Sequence, residues 1–206
     1  MYVPSAFAES DLETLHGLME RYPFATIVSP VEGLHHATHL PLLLDRKATV
    51  NGTLEGHFAR GNPHWRCLDG ETQVLVIFHG PHAYISPSCY ETAPAVPTWN
   101  YAAVHVAGKP RLIKDPAALS ALVDRMVETF ERGRSDPWKA ELPPDYRAMM
   151  LKGIVGFTLD IERIEGKLKL SQNRSLADRE GVIRELEASG HPEDADRAAL
   201  TRSKLR

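Results

Sequence analysis

Residues 73–86 read QVLVIFHGPHAYIS, and this stretch sets the expected fold class. A run of apolar residues precedes Gly80-Pro81, and apolar and polar residues alternate after it, so we predict strands at 73–79 and 82–86 with a turn between them. The same pattern predicts further short strands at 24–29, 38–44, 48–58 and 99–106, with Gly108 bending the last one into 110–113. Successive strands without intervening helices indicate an antiparallel barrel rather than a doubly wound sheet.

Helices are expected on either side of these strands. Ser10 and Glu13 match a capping box, and the apolar stripe that follows them ends at Pro23. Asp115 is placed as the N-cap of a second helix, which ends at Gly133. The fold class is therefore mainly β (α+β) with flanking helices.

The C-terminal part of the chain is expected to change character. A short helix is predicted at 143–151 and a last strand at 154–164. Two charged helices, separated by a break at 190–192, follow Arg174. We predict a barrel domain over residues 1–174 and a charged helical C-terminal extension over 175–206.

Composition limits the function classes. The chain has 206 residues, 43% of them apolar, and a net charge of −3, which disfavours a broad nucleic-acid or anionic-membrane surface without excluding a local patch. Two cysteines cannot build a disulfide framework, which favours a reducing cytoplasm. We expect no signal peptide, because residues 1–5 lack a basic and an apolar region. No apolar run approaches the roughly 20 residues that span a bilayer.

Charge is spread unevenly along the chain. Residues 24–113 hold 12 of the 51 charged residues but eight of the ten histidines. A charge-poor sheet of this kind is typical of a dimer interface or a surface around a flat ligand, and equally of a plain β core. The sequence leaves these two interpretations open.

Histidines at positions 35, 36 and 39 suggest a metal site at first sight. Imidazole is a good ligand for zinc or iron. On a strand, however, His36 and His39 point to opposite faces, and no glutamate lies between the histidines to form the helical zinc motif. We therefore expect no metal.

Three polar segments remain as candidate binding sites. Residues 56–65 bring His57, Arg60 and Asn62 to a turn, where an arginine and backbone amides could bind phosphate or simply stabilise the turn. Trp99 and its neighbour Asn100 could cover a flat ring or form an ordinary core. Residues 167–174 end the strand region in a dense set of donors, only part of which a solvated edge strand would explain.

These segments resemble the PaiB-type family of FMN-binding negative transcriptional regulators over about residues 1–180. The motifs that carry the resemblance are Met1-Tyr2-Val3-Pro4, Thr38-His39-Leu40-Pro41, Gly56-His57, Ala59-Arg60, Asn62-Pro63, Trp65, HAYISP (82–87), VPTWNY (96–101) and GKLKLSQNR (166–174). Cys89 stands where we expect the family to have an aromatic residue.

The resemblance implies a six-stranded antiparallel split β-barrel of the FMN-binding type, which usually forms homodimers with the flavin at the subunit interface. It implies FMN as the cofactor, while the histidines of the chain permit haem as the alternative ligand, because a proximal histidine is a common axial donor. The residues carried over as cofactor-binding are His39, His57, Arg60, Asn62, Trp99, Asn100, Lys169, Ser171, Gln172 and Arg174.

Two functions follow from the resemblance. One is repression of transcription, in which direct DNA contact is not supported by the net charge of −3. The alternative is a small flavin- or haem-dependent oxidoreductase without direct DNA binding, in which the cofactor does the electron chemistry and the protein binds and orients it. No residue is an obvious general base, so no catalytic residue is assigned.

Overall fold

The chain forms two sheets flanked by helices in the computed structural model, which describes residues 1–31, 33–139, 141–190 and 194–205. The strands are β1 (Ala8–Glu9), β2 (Phe24–Val31), β3 (Leu34–Pro41), β4 (Leu43–Asp45), β5 (Thr53–Ala59), β6 (Val74–Ile85), β7 (Thr98–Gly108), β8 (Pro110–Leu112), β9 (Ile154–Asp160) and β10 (Arg163–Lys169). The α-helices are α1 (Leu12–Arg21), α2 (Pro116–Glu131), α3 (Pro144–Lys152), α4 (Leu176–Ala188) and α5 (Asp194–Ser203).

The strands pair into a six-stranded and a four-stranded sheet. The larger has the order β1-β10-β7-β6-β2-β3, and the smaller has the order β4-β5-β9-β8. Antiparallel pairing is seen, for example, between β2 and β3 and between β5 and β9. The predicted α+β fold with a six-stranded antiparallel sheet is confirmed, and the smaller sheet is a feature that the sequence did not predict.

The chain divides into two compact units. Unit 1 contains Met1–Leu18, Phe78–His105 and Glu165–Arg206, and unit 2 contains Met19–Ile77 and Val106–Ile164. No described helix is both long and apolar enough to cross a membrane.

Unit 2 has a core of large apolar side chains from the smaller sheet and α2. Phe58 and Phe157 lie on the paired strands β5 and β9, with ring centroids 5.4 Å apart, and both are fully buried. Leu119 of α2 packs directly on Gly156: a Cβ added there would lie 2.7 Å from its Cδ1 atom. Glycine at this position therefore allows the helix to approach the sheet closely.

Unit 1 has its own core, to which the C-terminal helices belong. Val182, Ile183 and Leu186 of α4 are buried in one apolar cluster with Ile85 and Cys89. Burial of apolar surface stabilises this arrangement. The predicted boundary at residue 174 stays a prediction, but α4 contributes to a shared core.

The predicted N-caps of α1 and α2 differ in how well they match the structure. Asp115 accepts hydrogen bonds from the amides of Ala117 and Ala118 at 3.2 Å each, which confirms it as the N-cap of α2. At α1 the predicted cap, Ser10, is one residue early, because Asp11 accepts the amide of Thr14 at 2.9 Å. Two C-terminal helices occur as predicted, while His191 and Pro192 of the predicted break lie outside the described residues.

The predicted turn at Gly80-Pro81 is wrong, because β6 runs through both residues. A Cβ at Gly80 would lie 2.8 Å from the Cβ of Ala102 on β7. The glycine thus serves the close approach of another strand rather than a turn.

Three other predicted strands have different limits. Residues 48–52 precede β5 instead of extending it, and the strand predicted at 38–44 is two strands, β3 and β4, in different sheets. The strand predicted at 154–164 is also two, β9 and the start of β10, because the chain leaves the smaller sheet at Ile161 and Glu162. The amides of these two residues bond to Gly52 and Ala107.

Candidate functional site

A polar cavity of about 190 Å³ lies in unit 1, where β7 begins and β10 ends. The segment between the 3₁₀ helix Pro87–Cys89 and β7 forms one wall. The lining residues are Tyr90, Val96, Pro97, Thr98, Asn100, Lys169, Ser171, Asn173 and Arg174. Four of these were predicted from the sequence, and none is a carboxylate.

Lys169 is held at the edge of this cavity by β7. Its Nζ atom donates to the carbonyl of Trp99 at 2.6 Å and to the hydroxyl of Thr98. Burial, and after it the charge of Lys167, lowers the pKa of Lys169. The ammonium group is therefore fixed in place beside the cavity.

Asn100 and Ser171 form a buried polar pair. The Asn100 Nδ2 atom donates to the Ser171 Oγ atom at 3.0 Å, and both residues are 4% exposed. Among the described non-glycine residues, only Ser171 has a positive φ, at 65°. This left-handed conformation is unfavourable for a residue with a Cβ, and strained residues of this kind cluster at functional sites.

Arg174 and Tyr90 are stacked at the cavity. The Arg174 guanidinium lies 4.4 Å from the centroid of the Tyr90 ring. The Tyr90 hydroxyl is buried and has no hydrogen-bond partner among the described residues. An unpartnered buried hydroxyl is costly, which makes Tyr90 an unusual residue in this wall, where it also packs against the apolar core of unit 1. Sequence reasoning missed Tyr90, because nothing in its local sequence distinguishes it from a core tyrosine.

Trp99 and Gln172 were also predicted, but neither lines the cavity. The Trp99 side chain is 54% exposed and its ring lies 6.2 Å from those of His82 and Tyr84. The Gln172 side chain folds back on its own strand end, accepting the amide of Leu170 at 2.7 Å and donating to a neighbouring carbonyl.

The other predicted residues lie in unit 2, where two of them make internal contacts. Arg60 is exposed, and its guanidinium donates to the carbonyls of Lys152 at 2.6 Å and Ile154 at 2.8 Å. Asn62 caps the 3₁₀ helix Pro63–Cys67 by accepting the amide of His64 at 3.0 Å. Both side chains thus stabilise the local backbone.

His64 is a buried residue that sequence reasoning did not select. Its ring nitrogens are 2.7 Å from the Thr38 hydroxyl and 2.9 Å from the Ser29 hydroxyl, and Asn62 also donates to Thr38. Burial, and after it the nearby His36, lowers the pKa of His64. Nothing in the local sequence of His64, which is followed by Trp65, indicates this hydrogen-bond network.

His39 and His57 have fewer internal contacts. His39 is exposed on β3 and stacks on Phe24, with centroids 6.3 Å apart. His57 is half-buried, and its buried Nδ1 atom has no hydrogen-bond partner among the described residues. Burial lowers the pKa of His57. Within the described residues no group of three or more potential ligands could hold a metal ion.

Comparisons with known proteins agree with this fold. A family model called FMN_bind_2, "Putative FMN-binding domain", matches residues 1–163. The chain is 40% identical over 209 residues to the protease synthase and sporulation protein PAI 2 of Bacillus subtilis (strain 168), covering 100% of this chain and 99% of that protein.

Two solved structures show the same fold at low sequence identity. The FAD- and haem-binding protein of Mycobacterium smegmatis has a TM-score of 0.59 and 18% identity, covering 79% of this chain and 73% of that one. The flavocytochrome Anf3 of Azotobacter vinelandii has a TM-score of 0.58 and 16% identity, covering 79% and 69%. Since the family model spans most of the chain and the PAI 2 match spans all of it, the chain belongs to the FMN_bind_2 family of FMN-binding proteins.

Proposed function

We propose that this protein binds the phosphate end of FMN in the unit 1 cavity. The observation that carries the proposal is the cavity itself, which Lys169 and Arg174 line together with neutral polar side chains and without a carboxylate. A phosphate monoester carries about −1.5 to −2 charges near neutral pH. Two cations and several neutral donors without a carboxylate are the chemistry that such a group requires.

The size of the cavity sets how much of FMN it holds. Pockets that enclose a whole small-molecule ligand measure roughly 300–1,000 Å³, so 190 Å³ suits the phosphate and part of the ribityl chain. The isoalloxazine ring would lie outside it. When bound, FMN supplies the electron chemistry, while Lys169, Arg174 and the Asn100–Ser171 pair bind and orient its anionic end. The other predicted cofactor contacts do not line this cavity and stay predictions; they are His39, His57, Arg60, Asn62, Trp99 and Gln172.

A titration of the purified protein with FMN tests this site. Replacing Arg174 with Met removes a charged donor, so we expect the Kd for FMN to rise roughly 10- to 150-fold, the equivalent of 1.5–3 kcal/mol. Arg202→Met is the matched control, because Arg202 is exposed on α5 and pairs with Glu187 at 2.7 Å. An unchanged Kd in folded Arg174→Met would exclude the cavity as the phosphate site.

Homodimerisation is part of the proposal. The resemblance to PaiB-type proteins implies a flavin at a subunit interface, and unit 1 exposes aromatic side chains that suit one. Trp99 is 54% exposed and Tyr84 is 55% exposed, although their rings touch each other. Sedimentation with and without FMN is expected to give twice the chain mass, and a monomer at micromolar concentration in both cases would refute the dimer.

Control of gene expression through the bound flavin is the function that the PaiB-type resemblance favours. With a net charge of −3 the chain offers no overall attraction to DNA, so regulation would work through the ligand or a protein partner in the cytoplasm, where both free cysteines stay reduced. In cells, Arg174→Met is expected to alter the transcripts that the native chain controls, and Arg202→Met to leave them unchanged. Equal transcript levels in the Arg174→Met and Arg202→Met strains would show that regulation does not depend on FMN binding.

The oxidoreductase alternative is favoured by one observation, the half-buried His57. Its Nδ1 atom has no hydrogen-bond partner among the described residues, and burial lowers the pKa of the ring, which favours an uncharged imidazole that would hydrogen-bond to a bound flavin. Anaerobic addition of NADPH to the FMN-loaded protein tests this function, which requires the visible flavin band to bleach at a rate that falls in His57→Gln.

A further inference from the structure

The cavity wall at residues 90–97 is attached to α4 by one buried carboxylate. Asp178 is 1% exposed, and its Oδ1 atom accepts the backbone amides of Glu91 at 2.8 Å and Thr92 at 3.1 Å. Tyr90, Val96 and Pro97 of the same segment line the cavity. The carboxylate therefore sits directly behind the wall.

The helix that carries Asp178, α4, packs closely against the backbone at Cys89, which leads into the wall. Ser175 caps α4 by accepting the amide of Asp178 at 3.1 Å, so the carboxylate lies in the first turn, where the helix dipole favours an anion. At Gly181 an added Cβ would lie 2.0 Å from the carbonyl oxygen of Cys89. Glycine thus lets α4 touch the backbone that leads into the wall.

The charge state of Asp178 agrees with this geometry. Burial raises its pKa, but the hydrogen bonds from Thr92 and Glu91 and the positive charge of Arg174 together leave the pKa below its ordinary value. An ionised acceptor makes stronger hydrogen bonds than a neutral one. The wall is consequently attached by charge-assisted bonds over the whole physiological pH range.

We propose that Asp178 is a positioning residue for ligand binding, through which α4 sets the shape of the unit 1 cavity. The inference rests on the proposed FMN site. It concerns a helix beyond residue 163, where the match to the family model ends. Asp178 acts without touching the ligand, by holding the segment that carries Tyr90, whose ring stacks on Arg174.

Three variants of the full chain test this role. Asp178→Ala removes the acceptor, Asp178→Asn keeps an uncharged one, and Glu180→Ala changes an exposed carboxylate on the same helix. Hydrogen exchange at the amides of Glu91 and Thr92 reports the attachment itself, and an FMN titration reports its effect on the cavity.

We expect exchange at both amides in Asp178→Ala to be faster by about tenfold or more, because two buried donors lose their acceptor, and the Kd for FMN to rise by a similar factor. Asp178→Asn is expected to restore most of both properties, and Glu180→Ala to match the native protein. If Asp178→Ala fails to fold, Asp178→Asn carries the test, with exchange and Kd each raised about threefold because the remaining acceptor is neutral.

Unchanged exchange in the folded variants would overturn the attachment. Faster exchange with an unchanged Kd would overturn the positioning role, provided that Arg174→Met weakens FMN binding. If Arg174→Met also leaves the Kd unchanged, the proposed FMN site fails, and the inference that rests on it fails with it.

Discussion

Two polar segments, residues 56–65 in unit 2 and residues 167–174 in unit 1, differ in what their side chains bind. In the first, Arg60 donates to backbone carbonyls and Asn62 caps a short helix. In the second, Lys169, Ser171 and Arg174 line a cavity. The residue types are alike, so the cavity that the side chains line, rather than the residue types, distinguishes the candidate ligand site.

The sharpest way to break this comparison is to make the same substitution in both segments. Arg174→Met is expected to raise the Kd for FMN as proposed above, with little effect on the free protein. Arg60→Met is expected to lower the free energy of unfolding by about 1 kcal/mol, since an exposed arginine loses two hydrogen bonds, and to change the Kd less than Arg174→Met does. Denaturant unfolding gives the free energy of unfolding of each variant, and FMN titration gives the Kd of each.

The two substitutions act as controls for each other, because each removes one guanidinium and keeps a long side chain. A folded Arg60→Met protein that binds FMN as weakly as Arg174→Met would place Arg60 in the ligand site. The internal contacts of Arg60 would then be only part of its role.

A smaller effect is expected when the unpartnered hydroxyl is removed. Tyr90→Phe keeps the ring that stacks on Arg174 and deletes only the oxygen. Since the hydroxyl is buried without a partner, its removal is expected to leave the free protein equally or more stable. The Kd for FMN is expected to rise roughly 2- to 12-fold, the equivalent of the 0.5–1.5 kcal/mol of a neutral hydrogen bond.

Thermal unfolding with and without FMN separates the two effects of Tyr90→Phe. Tyr101→Phe is the matched control, because Tyr101 does not line the cavity. A loss of stability in the free Tyr90→Phe protein would mean that the hydroxyl is satisfied internally, and its expected contribution to FMN binding would lose its basis.

The fold was accessible from sequence because strand periodicity and helix caps act locally. Asp115 before Pro116 predicted the start of α2 directly, and the apolar run at 73–79 predicted the first part of β6. The errors arise where the partner strand decides the outcome. Gly80 lies in a strand, where Ala102 of the neighbouring strand approaches it closely. At Ile161 the chain passes from β9 to β10, but apolar and polar residues continue to alternate there as they would in a single strand.

The candidate site was only partly accessible for a related reason. Lys169 and Arg174 stand out as cations in a polar cluster, and the sequence predicted both. Tyr90 and Asp178 gain their roles from residues distant in the chain, such as the amides 86 and 87 positions before Asp178. A single sequence does not show which buried polar atoms find a partner.

The smallest effect expected is a pH dependence of stability from the buried network in unit 2. His64 lies between two hydroxyls, with the His36 ring 5.9 Å away, and burial and His36 lower its pKa from the ordinary 6.5. The unfolded chain therefore binds a proton that the folded protein resists, and the free energy of unfolding falls as the pH drops below 6.5 towards the folded pKa. Replacement by Gln, which keeps hydrogen-bonding groups but cannot be charged, is expected to reduce this fall.

The comparison that isolates His64 is urea unfolding at pH 7 and pH 5 for the native protein, His64→Gln and His35→Gln. His57, whose pKa burial also lowers, contributes a fall of the same sign in all three proteins, so only the difference between them reports His64. His35 is exposed on the edge strand β3, and its variant is expected to follow the native curve. An equal change in the free energy of unfolding between pH 7 and pH 5 for His64→Gln and the native protein would show that protonation of His64 does not destabilise the fold. The internal contacts of residues 56–65 would then contribute less to stability than their geometry indicates.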